Sequence, residues 1–163
     1  RVDGFVAHLA TFRNVEVLDI RPLEQKIRNI KFVQADIMDA KSVKKYQNYC
    51  DSISSLHAIE HFGLGRYGDD IDIYGHSKGL DNIHKMLKKG GVFYFSVPIG
   101  HQRIEFNAMR VFNVDYLLRQ LENKYDLISF SYIDDKGELF ENVQPGEADE
   151  CFYGCGIFDL IKR

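Results

Sequence analysis

Asp51-Ser-Ile-Ser-Ser-Leu-His-Ala-Ile-Glu-His61 decides how this chain is read. Its first six residues, Asp51–Leu56, suit a short strand, and the polar cluster His57, Glu60 and His61 follows at the strand's end. Immediately downstream, Gly63-Leu-Gly-Arg-Tyr-Gly68 has a glycine at three of six positions, which is too flexible for a helix and predicts a loop. Ser77–Lys88 then sets Leu80, Ile83, His84 and Leu87 on one helical face. Its basic end runs into Gly90-Gly91, a helix stop written both by charge and by glycine. Val92–Val97 is a near-continuous apolar run, expected as a strand buried on both faces.

The pattern extends in both directions from this centre. Val2, Phe5, Val6, Leu9 and Phe12 recur at helical spacing. Val15–Ile20 reads as an apolar strand ending at Asp19, and Pro22 suits the first turn of a helix over Leu23–Arg28. Lys31–Ala35 is a second strand, ending at Asp36, and Asp39 caps a helix reaching about Asn48. Asn113 caps a helix through Leu121. Leu127–Ile133 and Phe152–Ile161 are the last strands, expected to pair antiparallel as a hairpin because no strong helical pattern lies between them. Strands alternating with helices predict βαβ units and a largely parallel sheet.

Size and composition fit a single domain over residues 1–163. Of these residues 45% are hydrophobic and 28% charged, ordinary for a globular chain. The net charge of −3, with no basic run longer than a pair, disfavours nucleic acid as a partner. No apolar run approaches the ~20 residues of a membrane span. Three cysteines, Cys50, Cys151 and Cys155, form no even framework and suggest reduced thiols in a cytoplasmic protein. Cys151-x-x-x-Cys155 has no histidine or cysteine partner nearby, so the pair reads as small buried hydrophobes rather than as a metal site. The sequence opens on Arg1 rather than Met, so the natural N-terminus is expected upstream. Nothing in the pattern specifies an oligomeric state.

Ser55, His57, Ile59, Glu60 and His61 resemble the Ser-His-x-Leu-Glu-His stretch of class I S-adenosylmethionine (SAM)-dependent methyltransferases. The parallel strands closed by a terminal hairpin resemble the sheet of the same superfamily. The resemblance implies a Rossmann-like α/β three-layer sandwich, mostly parallel with a C-terminal antiparallel hairpin, and SAM as cofactor. It implies that Asp19 accepts the ribose hydroxyls, with Ile20 beside it. Asp36 would bond the adenine amino group while Ile37 packs on the ring, and Ser55 would line the methyl-transfer face. Asp3 and Gly4 resemble the tail of the family's Gly-rich loop, whose preceding strand lies outside these residues. A second resemblance covers Phe62–Asp69, Ser96–Gly100 and Phe106–Phe112. It is to an uncharacterised methyltransferase-like family, a domain of unknown function, whose members are associated with surface carbohydrate assembly.

In open α/β sheets ligands sit at the carboxyl ends of the strands. His57 stands at such an end, and its ordinary pKa near neutrality suits a general base. His61, four residues on, is the second catalytic candidate, and Glu60 is read as a tie for the loop or helix end. His57-x-x-Glu-His61 lacks the order of zinc-binding helices, so no metal is expected. Arg66, Tyr67, His101, Asn107 and Arg110 are candidate contacts to substrate, with hydrogen-bonding and stacking groups suited to a sugar. Ion pairs of Arg66 and Arg110 with Asp69, Asp70 or Glu105 are the alternative. The expected function is O-methylation of a small polar acceptor such as a carbohydrate or nucleotide-linked sugar. A catalytically silent binding module of the same fold is the rival, and a dinucleotide enzyme on a related sheet is disfavoured by the terminal hairpin.

Overall fold

The computed structural model describes residues 4–24 and 26–163. After helix α1 (Gly4–Leu9), strand β1 (Val15–Asp19) pairs in parallel with β2 (Ile30–Gln34), with Val15 opposite Ile30 and Asp19 opposite Gln34. The helix expected over Leu23–Arg28 is not formed by the described residues of that segment. So short a stretch does not repay the nucleation of a first helical turn. A turn at Asn29, with φ of 62°, carries the chain into β2 instead. The Asn29 side-chain amide donates to the Ala10 carbonyl at 2.9 Å and ties that turn to the end of α1.

Asp39 caps α2 (Ala40–Val43) as its sequence position predicts, its carboxylate accepting from the main-chain N–H groups of Lys41 and Ser42. The helix stops early and passes into a 3-10 turn, Lys44–Tyr46. Strand β3 (Cys50–Leu56) and strand β4 (Leu87–Ile99) are parallel neighbours, joined by a crossover through α3 (Gly75–Met86). The expected glycine stop at Gly90-Gly91 acts differently. The helix already ends at Met86, and a register shift between Cys50 and Ser52 absorbs the extra residues at the start of β4. Phe93, Phe95, Val97 and Ile99 are fully buried, but Tyr94 on the other face is 44% exposed, so burial on both faces holds only for the second half of the strand.

A small hairpin, β5 (Arg103–Glu105) with β6 (Met109–Val111), follows and was not foreseen. Helix α4 (Val114–Leu121) carries the expected cap, Asn113 accepting from Tyr116 N–H at 3.0 Å. Strands β7 (Tyr125–Ile133), β8 (Leu139–Phe140) and β9 (Gly154–Lys162) complete a five-stranded sheet in the order β3-β4-β9-β7-β8. Within it only β3/β4 is parallel. The β4/β9, β9/β7 and β7/β8 pairs are antiparallel. The expectation of a mostly parallel sheet is thus corrected to a mixed one. A parallel pairing needs a crossover element, and the segment between β7 and β9 offers only β8 and one 3-10 turn, Pro145–Ala148. The predicted terminal antiparallel pair itself is present as β7/β9.

The core lies under the five-stranded sheet. Phe93 stacks on Phe95, Phe95 meets Phe158, and Phe158 meets Phe130, at ring-centre distances of 5.1, 5.6 and 4.9 Å. A smaller cluster of Val43, Tyr46 and Met86 takes in Leu18 and Val33 from the two-stranded sheet and Ile53 from β3. The Tyr49 hydroxyl adds a hydrogen bond of 2.6 Å to Glu16 Oε1. Through these contacts the ends of β1, β2 and β3 serve one molecule although they belong to separate sheets.

Candidate functional site

Two loops and four strand ends build the site. Asp19 is the last residue of β1, and Arg21 turns back on it. The Arg21 guanidinium donates to both carboxylate oxygens, at 3.0 and 2.8 Å, and the Arg21 main-chain N–H donates to Oδ1 at 2.9 Å. Burial opposes the charge on Asp19, but the Arg21 donors are foremost among the groups that outweigh it and hold the carboxyl well below the usual range. Asp19 is therefore a fixed, ionised acceptor. Beyond it, the Arg21 guanidinium lies 4.4 Å from the centre of the Tyr67 ring. Tyr67 in turn meets the His61 ring edge-on, at 5.4 Å.

Tyr67 sits in the glycine loop predicted at 63–68, and Asp69 organises that loop. Its carboxylate accepts from the main-chain N–H groups of Gly63, Gly65 and Tyr67. Gly63 has φ of 74°, and a side chain there would run into the carbonyl of Asp72. Arg110 closes the same region from below. It is 1% exposed, and its guanidinium donates to the carbonyls of Glu60, Phe62, Asp72 and Ile73. Burial lowers its pKa, and no carboxylate among the described residues hydrogen-bonds it. Arg110, a substrate-contact candidate in the sequence, is buried here with its guanidinium on the carbonyls that shape the loop. Neither it nor Arg66 forms an ion pair with Asp69, Asp70 or Glu105 among the described residues.

At the end of β3 the chain takes a left-handed turn at His57, with φ of 49°. The ring bridges two groups: Nδ1 lies 3.2 Å from Glu60 Oε1, and Nε2 lies 3.2 Å from Cys155 Sγ. The Cys155 contact first, and the Glu60 contact second, push the His57 pKa up to about 10 against the opposing effect of burial. His57 therefore holds its proton at neutral pH, which differs from the neutral base read from its sequence position. His61 is arranged otherwise. Its Nδ1 lies 2.7 Å from the Ala108 carbonyl, and a carbonyl only accepts, so Nδ1 carries a hydrogen, and in the neutral ring the lone pair is on Nε2. Nε2 stands 3.8 Å from Glu60 Oε1.

Other candidate residues fall around this chain of contacts. Asp36 follows β2, and its Oδ1 accepts from Met38 N–H at 2.8 Å, with Ile37 packed against both core clusters. Ser55 is buried within β3, while Ile20, just beyond β1, is half-buried. Arg66 is exposed and lies 5.7 Å from the Tyr67 ring centre, and His101 and Asn107 are exposed at and beyond the end of β4. Gly4 opens α1, and Asp3 lies outside the described residues. The structure thus joins Asp19, Tyr67, His61 and His57 into one line and leaves Asp36, Asn107 and His101 apart from it.

Three participants were missed in the sequence. Arg21 has no motif beyond its spacing from Asp19. Arg103 stacks 4.4 Å from the Phe152 ring centre and donates to the Phe152 carbonyl, which only the β5/β6 hairpin arranges. Cys155 opposes Pro98 across β4/β9, so the start of an antiparallel strand reaches the same edge as the end of β3. The strand-end rule applied to β9 in reverse would have flagged it.

A family model described as "Caenorhabditis protein of unknown function, DUF268" matches residues 8–141. No curated protein matches the chain significantly in sequence. Among solved structures, the chain is similar to the 1,6-didemethyltoxoflavin-N1-methyltransferase of Burkholderia thailandensis, which holds 1,6-didemethyltoxoflavin and S-adenosylhomocysteine. The match has a TM-score of 0.62 at 12% identity and covers 97% of this chain and 65% of that one. A second is a SAM-dependent methyltransferase of Listeria monocytogenes described as putative (TM-score 0.60, 12% identity, 98% and 87% covered). A third is the N-methyltransferase NodS of Bradyrhizobium japonicum in complex with S-adenosylhomocysteine (TM-score 0.58, 14% identity, 98% and 72% covered). The chain spans just under two thirds of the toxoflavin enzyme's length. At these identities the likeness is one of fold, and that fold is the class I SAM-dependent methyltransferase fold.

Proposed function

The chain belongs to this DUF268 family, and we propose that it is a SAM-dependent methyltransferase acting on a small polar acceptor. The observation that carries the reading is Asp19, a carboxylate held ionised at the carboxyl end of a parallel strand, on a fold shared with proteins solved around S-adenosylhomocysteine. The donor set suits that cofactor. Asp19 is an acceptor for ribose hydroxyls, Asp36 for an adenine amino group, and Ile20 and Ile37 offer apolar surface beside them. SAM bound there supplies an electrophilic methyl group on a positively charged sulfur.

The chain's own residues then bind, orient and move a proton. Binding the acceptor beside the donor removes the entropy cost of a two-body encounter. An oxygen nucleophile must also lose its proton. His61 suits this task because Nδ1–H is fixed on the Ala108 carbonyl, which leaves Nε2, 3.8 Å from Glu60 Oε1, as the nitrogen to take up a proton. His57, holding its proton to about pH 10, is instead a cation at neutral pH. Arg66, Tyr67, His101 and Asn107 offer hydrogen-bonding and stacking groups that suit a carbohydrate or a nucleotide-linked sugar, so O-methylation of that class is the acceptor we favour. The three unpaired cysteines fit a cytoplasmic location. No helix among the described residues is long and apolar enough to cross a membrane.

Calorimetry with SAM and S-adenosylhomocysteine tests the class. We expect binding, weakened at least about tenfold in Asp19→Asn, where the ionised acceptor becomes a neutral amide. Absence of binding at millimolar ligand sinks the reading. His61→Gln keeps a donor for the Ala108 carbonyl but removes the basic nitrogen. It should lower turnover about 100-fold while leaving SAM affinity intact; unchanged turnover removes His61 from the role.

A further inference from the structure

The His57 contacts form a second constellation that methyl transfer does not use. Glu60 is 1% exposed, and its Oε1 faces His57 Nδ1 at 3.2 Å. A carboxylate only accepts, so Nδ1 carries a hydrogen and the ring is oriented by it. In the neutral ring this leaves the lone pair of Nε2 pointing at Cys155 Sγ, 3.2 Å away. Thiol, imidazole and carboxylate thus stand in a row, each within reach of the next, which is the arrangement that activates a nucleophile. Glu60 Oε2 is buried with no hydrogen-bond partner among the described residues, and Oε1 meets His57 Nδ1 at 3.2 Å and, more distantly, His61 Nε2 at 3.8 Å. Cys155 and His57 both keep access to solvent: Cys155 is half-buried, and the His57 side chain is 49% exposed.

We propose that Cys155 is a nucleophilic site for soft carbon electrophiles, with His57 as its base and Glu60 as the residue that positions His57. In the step, His57 Nε2 holds the proton that the thiol gives up, and Sγ attacks the electrophilic carbon as the thiolate. The new S–C bond forms as the bond to the leaving group breaks. The leaving group departs with the bonding pair and takes up the proton held by the imidazolium when it is basic enough to need one. Glu60 Oε1, 3.2 Å from Nδ1, stabilises the imidazolium that faces Sγ. The site requires no methyl donor, and it shares Glu60 with His61.

The other two cysteines are internal controls. Cys151 is buried and Cys50 half-buried, and burial above all raises the pKa of each. The test is alkylation of the full chain by iodoacetamide at pH 7, with each cysteine followed by peptide mass spectrometry, in native buffer and in guanidinium chloride. Folding should accelerate Cys155 at least about tenfold over its own rate in the unfolded chain, while slowing Cys50 and Cys151. His57→Asn tolerates the left-handed turn and should bring native Cys155 down to or below its unfolded rate. Native Cys155 reacting no faster than the unfolded chain overturns the proposal, whatever the variant does. So does a folded His57→Asn protein whose Cys155 keeps the wild-type rate.

Discussion

At the scale of single residues, His57 shows how contacts outrank type. A histidine at a strand end suggests a neutral base. Bridged between Cys155 and Glu60, it becomes a group that keeps its proton to about pH 10. The Cys155 contact is the larger cause, so Cys155→Ala should lower the His57 midpoint by at least about one unit while the Glu60 contact remains. Imidazole NMR shifts followed from pH 5 to 11 check this, and a midpoint unmoved in the variant removes Cys155 as the cause. His57, His61, Glu60 and Asp19 were all legible from the sequence as residues at strand ends. Their partners Cys155, Arg21 and Ala108 were not, because none is near enough in a motif to announce a shared contact. Cys155 lies 98 positions from His57.

Among the elements, the loop over residues 62–74 is the one that joins cofactor-side and substrate-side residues, and polar atoms hold it together with the buried Leu64 and the core-packed Phe62. Asp69 gathers three main-chain N–H groups, and Arg110 gathers four carbonyls. Gly63→Ala places a side chain on a left-handed residue and against the Asp72 carbonyl. The loss should be about 2–4 kcal/mol, the sum of backbone strain and loop displacement. Urea unfolding measures it, and a loss under about 0.5 kcal/mol shows that the loop gives way freely. Sequence marked this loop by glycine content alone. The caps Asp39 and Asn113 were equally legible because capping is local chemistry. The β5/β6 hairpin and the failed helix at 23–28 were not, since neither carries enough local preference to outweigh its surroundings.

For the whole molecule, two histidines bound the pH range of stability from opposite sides. Burial, aided by the charge of Arg110, depresses the His76 pKa to about 4 from an ordinary value near 6.5. Below pH 6.5 the unfolded chain takes up a proton there that the folded one refuses, so stability falls as pH drops toward 4. His57 is raised, so between pH 6.5 and 10 the folded state holds the extra proton. Its contribution is whole below pH 6.5 and is lost as pH climbs toward 10. Thermal unfolding from pH 4 to 10 should therefore peak near pH 6–7. In His76→Phe the acid limb should flatten, whereas an unchanged acid limb excludes His76 as its source. The sequence by itself determined the β3-α3-β4 run, the acids and histidines at strand ends, the glycine loop and the antiparallel β7/β9 closure, because each is set by local periodicity, capping or turn chemistry. Only the tertiary structure decided that three of the four pairings in the larger sheet are antiparallel, that Arg110 is spent on carbonyls, and that Cys155 meets His57. Those outcomes depend on which distant segments approach one another, and in this chain hydrophobic burial sets that approach while the polar partners follow from it.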